Sequence, residues 1–138
     1  MIEKIEWQGK TLALILRGNY EQEGVNFITS GENPLQLGVH KHRRGTRIKP
    51  HVHKKSPRTV NEIQEVLHME YGKVEAEFYD VEGRKLESAI LNSDDTILLI
   101  SGGHGFNVLE DAKLIEVKQG PYYGTEEDKE RLDIRQEG

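Results

Sequence analysis

Apolar and polar positions alternate in short runs along most of the chain, and glycine, proline, asparagine and aspartate punctuate the runs. "TLALILR" (11–17) is apolar on both faces and predicts a buried strand. "GVNFITS" (24–30) predicts another, ending at the turn signal "GENP". "LQLGVHKH" (35–42) and "TRIKPHVH" (46–53) flank "RRG", which predicts a hairpin. "NEIQEVLHMEY" (61–71) and "KVEAEFYD" (73–80) are divided by Gly72, and in the second Val74, Ala76 and Phe78 share one face. "KLESAIL" (85–91), "TILLI" (96–100), "GFNVL" (105–109) and "KLIEV" (113–117) follow at regular spacing. Short strands with glycine and Asx turns predict an all-β antiparallel sandwich or barrel. The charged tail "TEEDKERLDIR" (125–135) predicts one short helix, with Thr125 as its N-cap and Asp128 as capping partner.

Length and composition narrow the class. A chain of 138 residues is the size of one domain: a core over about 33–120, N-terminal strands in 1–32 and a tail in 121–138. Apolar residues make up 35% and charged residues 31%, a globular balance. The net charge of −5 argues against nucleic acid as a partner, although "HKHRRGTRIKPHVHKK" (40–55) is locally basic. No apolar run is long enough to span a bilayer, and no charged-then-apolar leader opens the chain, so the expected address is cytoplasmic. Cysteine is absent, which excludes disulfides and thiolate metal sites.

Candidate chemistry lies in residues 49–73, "KPHVHKKSPRTVNEIQEVLHMEYGK". On a strand, His51 and His53 would project to the same face, as two imidazole metal ligands require. The plainer reading of such a pair is an exposed one in a basic loop. Gly45 lies six residues before His51, and Glu65 seven before Gly72, giving G-x5-H-x-H … E-x6-G. A second block, "SDDTILLISGGHGFNVLEDAKLIEV" (93–117), contains His104. Together these resemble the two motifs of the cupin superfamily, over about residues 33–120.

The resemblance implies an antiparallel double-stranded β-helix, the jelly-roll barrel. It also implies one divalent metal (Mn, Fe, Ni or Zn) held by His51, His53, Glu65 and His104. The chain departs from the pattern in two places. Eleven residues separate His53 from Glu65, where family members have three or four, and Gly102 and Gly103 replace the usual proline before His104. Glu62 is a rival ligand, but Glu65 keeps the spacing to Gly72 and shares a face with Leu67 and Met69.

The remaining polar features are secondary. His40 and His42 form another H-x-H expected at the surface, and His68 has the wrong parity to join Glu65. Arg43, Arg44, Arg47, Lys49, Lys54, Lys55 and Arg58 surround the first motif as a solvated strand edge or a collar for an anionic ligand. Tyr122 and Tyr123 are expected to cover a barrel end or an interface. The likeness to small cupins of surface-polysaccharide and nucleotide-sugar metabolism implies a small anionic or polyhydroxylated ligand. The expected activity is a sugar isomerase or epimerase, the alternatives being an Fe(II)-dependent dioxygenase and a binding module without turnover. A homodimer is expected, because "TLALILR" needs cover on both faces.

Overall fold

The computed structural model describes residues 1–134. About 48% of the described residues are strand, in a strongly curled antiparallel sheet compatible with a jelly roll. The strands are β1 (Ile2–Trp7), β2 (Lys10–Leu16), β3 (Gly24–Phe27), β4 (Gly38–Lys41), β5 (Glu65–Tyr79), β6 (Lys85–Asn92), β7 (Thr96–Leu99) and β8 (Gly103–Lys118). The large sheet runs β1-β2-β7-β5-β6, with β8 pairing along the other edge of β5, while β3 and β4 pair only with each other.

β5 organises the curl. Its first half pairs with β7 and its second half with β6, and β8 follows it from Glu65↔Lys118 to Tyr79↔Gly103. The two halves are joined at Gly72, where φ is +99° and the ladder to β8 slips register three times between Met69 and Val74. Such irregularities bend a strand and increase its twist. They also reset its alternation: Leu67 and Met69 are buried before the bend, and Val74, Ala76 and Phe78 after it. Both halves therefore turn their apolar sides into one concave core, completed by Ile5, Ala13, Ile15, Leu91, Ile97 and Leu99. At Gly72 any Cβ would lie 2.3 Å from the Asp111 carbonyl oxygen, so only glycine fits this close approach of β8.

Several expectations are corrected. The strand over 46–53 does not form: residues 42–64 contain no strand, and every residue from His40 to Asn61 is exposed. Pro50 removes a ladder donor there, and the flanking cations leave only Ile48 and Val52 as apolar contacts. The segments on either side of Gly72 are one bent strand, as are 105–109 and 113–117 within β8. The tail helix is a single turn, Thr125–Asp128, whose N-cap is Gly124 without a side-chain bond. Thr125 instead meets the Tyr122 hydroxyl at 3.0 Å. Arg135, the last residue of the expected helix, lies outside the described residues. Residues 2–7 form a strand that alternation does not reveal, because a bulge falls between Ile5 and Glu6.

β2 finds its neighbours within the chain, between β1 and β7, and Leu12, Ala13, Ile15 and Leu16 are all buried. Its two apolar faces thus need no second copy. Among the described residues no helix is long and apolar enough to cross a membrane.

Candidate functional site

Glu65 and His104 occupy opposite ends of the β5–β8 ladder. Glu65 is opposite Lys118, and His104 is opposite Phe78. On a flat strand these positions would be about 40 Å apart, at roughly 3.3 Å per residue. The curl brings them into contact instead, with His104 Nε2 2.7 Å from Glu65 Oε1. Glu65 shares its parity with buried Leu67 and Met69, and His104 pairs with buried Phe78, so both side chains face the concave side. Phe106 packs near the His104 ring, at 5.9 Å between centroids.

A third group joins them. Glu116, opposite Leu67 on β8, hydrogen-bonds to Glu65. The His104 ring beside Glu65 is the main cause that holds the Glu65 carboxyl down to about 2, with the Glu116 hydrogen bond and Lys118 adding to it against the cost of burial. Glu116 is pushed up from the ordinary carboxylate range, chiefly by Glu65. Two carboxyls in contact cannot both ionise easily, so Glu116 keeps its proton longer and donates it to the Glu65 carboxylate. Sequence reading did not single out Glu116. The available signal was its parity with Leu114 in "KLIEV".

These shifts have opposite consequences for stability. The depressed Glu65 pKa contributes stability that is present above its ordinary value near 4.5 and lost as pH falls toward about 2. The raised Glu116 pKa acts the other way, removing stability as pH rises above the ordinary carboxylate range. Glu65→Gln is therefore expected to be less stable than the wild type at neutral pH, with the gap closing in acid. Glu116→Gln should gain stability at neutral pH. Urea unfolding across a pH series checks both, and a Glu65→Gln gap that stays constant into acid would refute the assignment.

The other expected ligands lie elsewhere. His51 and His53 sit side by side, with ring centroids 5.2 Å apart, in the exposed segment between β4 and β5. His51 Nδ1 meets the Lys49 carbonyl oxygen at 2.8 Å, which leaves Nε2 free to bind. No contact among the described residues joins this pair to Glu65 or His104, and no three His, Asp or Glu side chains are arranged there to hold a metal. The expected donors thus fit a divalent metal in chemistry but stand as two separate pairs. The Glu65–His104 spacing is close to the roughly 3 Å between neighbouring ligands of one ion at ordinary bond lengths. Glu62 is exposed and precedes β5.

His68 lies on the opposite face from Glu65, where Nδ1 contacts Thr96 Oγ1 at 2.8 Å. His40 and His42 are exposed and contact each other at 3.2 Å. Tyr122 and Tyr123 are exposed, and Lys118 Nζ lies 5.0 Å from the centre of the Tyr122 ring. Gln64 is buried at the start of β5 and exchanges two amide hydrogen bonds with Asn33. Its backbone N–H donates to Gln119 Oε1, while Gln119 Nε2 is buried without a hydrogen-bond partner among the described residues. No protein-family model, curated protein or solved structure matches the chain. The functional reading therefore rests on the curled sheet and on what Glu65, His104 and Glu116 can do together.

Proposed function

We propose that this chain is a cupin-type double-stranded β-helix that moves a proton on a small polyhydroxylated ligand, as a sugar isomerase or epimerase does. The contact between Glu65 and His104 carries the reading. A carboxylate that accepts the Nε2 proton orients the imidazole and leaves Nδ1 as the proton acceptor. In that role His104 takes a proton from a carbon next to a carbonyl, and Glu116, whose pKa Glu65 raises above the ordinary carboxylate range, serves as the acid. Return of the proton to the neighbouring carbon, with Glu116 giving a proton to the carbonyl oxygen and taking one back from the adjoining hydroxyl, gives isomerisation, whereas epimerisation needs a second proton donor on the opposite face of the same carbon.

A second reading is a divalent metal site completed by His51 and His53, favoured by their adjacency and by the cupin-like spacing. Bound there, manganese, iron, nickel or zinc would supply Lewis-acid stabilisation to an enediolate. The described placement does not assemble that set, and proton transfer through His104 does not require it.

Metal content of untagged protein, together with NMR of sugar phosphates and nucleotide sugars in deuterium oxide, tests both. Solvent deuterium is expected at a substrate carbon, with His104→Ala abolishing exchange. If metal is bound, His51→Ala and His53→Ala should remove most of it, and His68→Ala should not. Binding without exchange or product would leave a binding module, and oxygen uptake with ferrous iron would make the protein a dioxygenase.

A further inference from the structure

The second edge of β8 has no strand partner among the described residues, over all sixteen positions from Gly103 to Lys118. Val108 shares the concave face with His104 and Phe106, yet it is 65% exposed, so the concavity is open on this side. Val117 is exposed on the same strand. A long edge with exposed apolar side chains is a template for another strand, and soluble proteins cover or disrupt such edges.

The chain also contains two strands outside the large sheet, tied to it through the Asn33–Gln64 pair. The β3–β4 hairpin joins no strand of the large sheet, and Val25 and Phe27 on it are 48% and 59% exposed. A two-stranded hairpin is marginal in water on its own. From it runs the arm of residues 42–63, solvent-exposed throughout, with Ile48 and Val52 offering apolar side chains. Residues 41–58 hold eight Lys and Arg, and no Asp or Glu occurs between Glu32 and Glu62. The rest of the chain has all 24 acidic residues against eleven Lys and Arg. On β8 itself Glu110, Asp111 and Glu116 are exposed, and the cations there are Lys113 and Lys118.

We propose that the β3–β4 hairpin and the arm of one chain clasp a second copy of this chain, the arm adding as a strand to the free edge of the partner's β8. The arm's charge matches the acidic surface of another copy, and its length spares the hairpin from standing alone. Both ends of the arm are fixed in its own chain, at β4 and β5, yet among the described residues it pairs with no strand of its own sheet. Elements held away from their own body in this way are the ones that exchange between protomers. Exchange is mutual, so two copies close each other's concave face. The added strand carries Pro50 and several lysines, which make a poor template for a further strand, so assembly stops at two. The exchange also carries His51 and His53 of one chain toward the open side of the other's Glu65–His104 pair. That consequence rests on the metal reading above, and the clasp does not.

The chain lacks cysteine, so single cysteines report cleanly on the arrangement. Val52→Cys and Val108→Cys both replace exposed side chains and should leave the fold intact. The two variants, one tagged, are unfolded together, refolded and treated with a flexible bis-maleimide, and light scattering gives the mass of the untreated protein. The expected result is about twice the chain mass of 15.8 kDa and a cross-linked pair containing one chain of each kind. Mass should fall toward that of one chain when Arg43, Arg44, Arg47 and Lys49 are replaced by glutamate. A wild-type monomer would overturn the proposal. So would a cross-link that forms only when both cysteines are on one chain, which would show the arm folding onto its own β8. Metal content is not read here, so this outcome is separable from that of the metal assay.

Discussion

Gly72→Ala is expected to cost about 4 kcal/mol or more and to leave little folded protein, the range reserved for severe backbone and packing conflicts. The new methyl group would meet the Asp111 carbonyl oxygen at 2.3 Å and the Ala112 Cα at 2.6 Å, and neither is a flexible side-chain end. It would also hold a non-glycine residue at φ +99°. Gly9→Ala is the matched control. Gly9 has φ +77° but nothing within 4 Å of its Cβ position, so only the conformational cost of about 1 kcal/mol applies. Denaturant midpoints of the two variants check the difference. Comparable losses would mean that positive φ alone, and not the close approach of β8 at Asp111 and Ala112, makes Gly72 necessary. Any folded Gly72→Ala protein should also have lost the Glu65–His104 contact, because that contact exists only through the bend.

Asp95→Ala is the second large effect, expected at about 3 kcal/mol for removing one partner of a buried charge pair. Asp95 is 4% exposed and accepts hydrogen bonds from the backbone N–H groups of Gly18 and Asn92, at 2.9 and 2.8 Å. Arg17 Nη1 donates to it at 2.8 Å and to the Ile90 carbonyl at 2.6 Å, while Nε and Nη2 hold both oxygens of Glu3. The cluster ties β1, β2 and the turn before β7 together. Asp95→Asn, which keeps the shape and one acceptor, should cost less than Asp95→Ala. Urea unfolding of the two variants tests this, and a loss for Asp95→Ala below about 1 kcal/mol, the level of an exposed pair, would assign the stability elsewhere.

Strands were legible in the sequence where alternation survives into structure. "KVEAEFYD" shows Val74, Ala76 and Phe78 on one side, and these residues are buried. "TLALILR" is apolar throughout because β2 is buried on both faces, with Leu12 and Leu16 on one and Ala13 and Ile15 on the other. Residues 46–53 misled because β-type residues in a row do not supply a partner strand. Gly72 looked like a break between strands, whereas it is the hinge of one. No periodicity distinguishes a glycine that ends a strand from one that bends it. For the site, parity placed Glu65 with Leu67 and Met69 and put His68 on the opposite face. The approach of Glu65 to His104 follows from the curl, which no local pattern encodes. The Arg17–Asp95 pair was equally hidden, since "NSDD" announces a turn and nothing in it points to a guanidinium 78 residues away.

The β5–β8 ladder also has a kinetic meaning. Its pairings join residues far apart in the chain, from Tyr79 with Gly103 out to Glu65 with Lys118. Such non-local closure makes folding slow, on the order of milliseconds to seconds for β-rich domains. The ladder can zip from the closer pair toward the more distant one, and Glu65 meets His104 only after the last rungs have formed. The Glu65–His104 pair is then absent from the folding nucleus. Substitutions there act on the rate of unfolding and leave the rate of folding nearly unchanged, so the chemistry of the site can be varied without obstructing the path by which the chain reaches it.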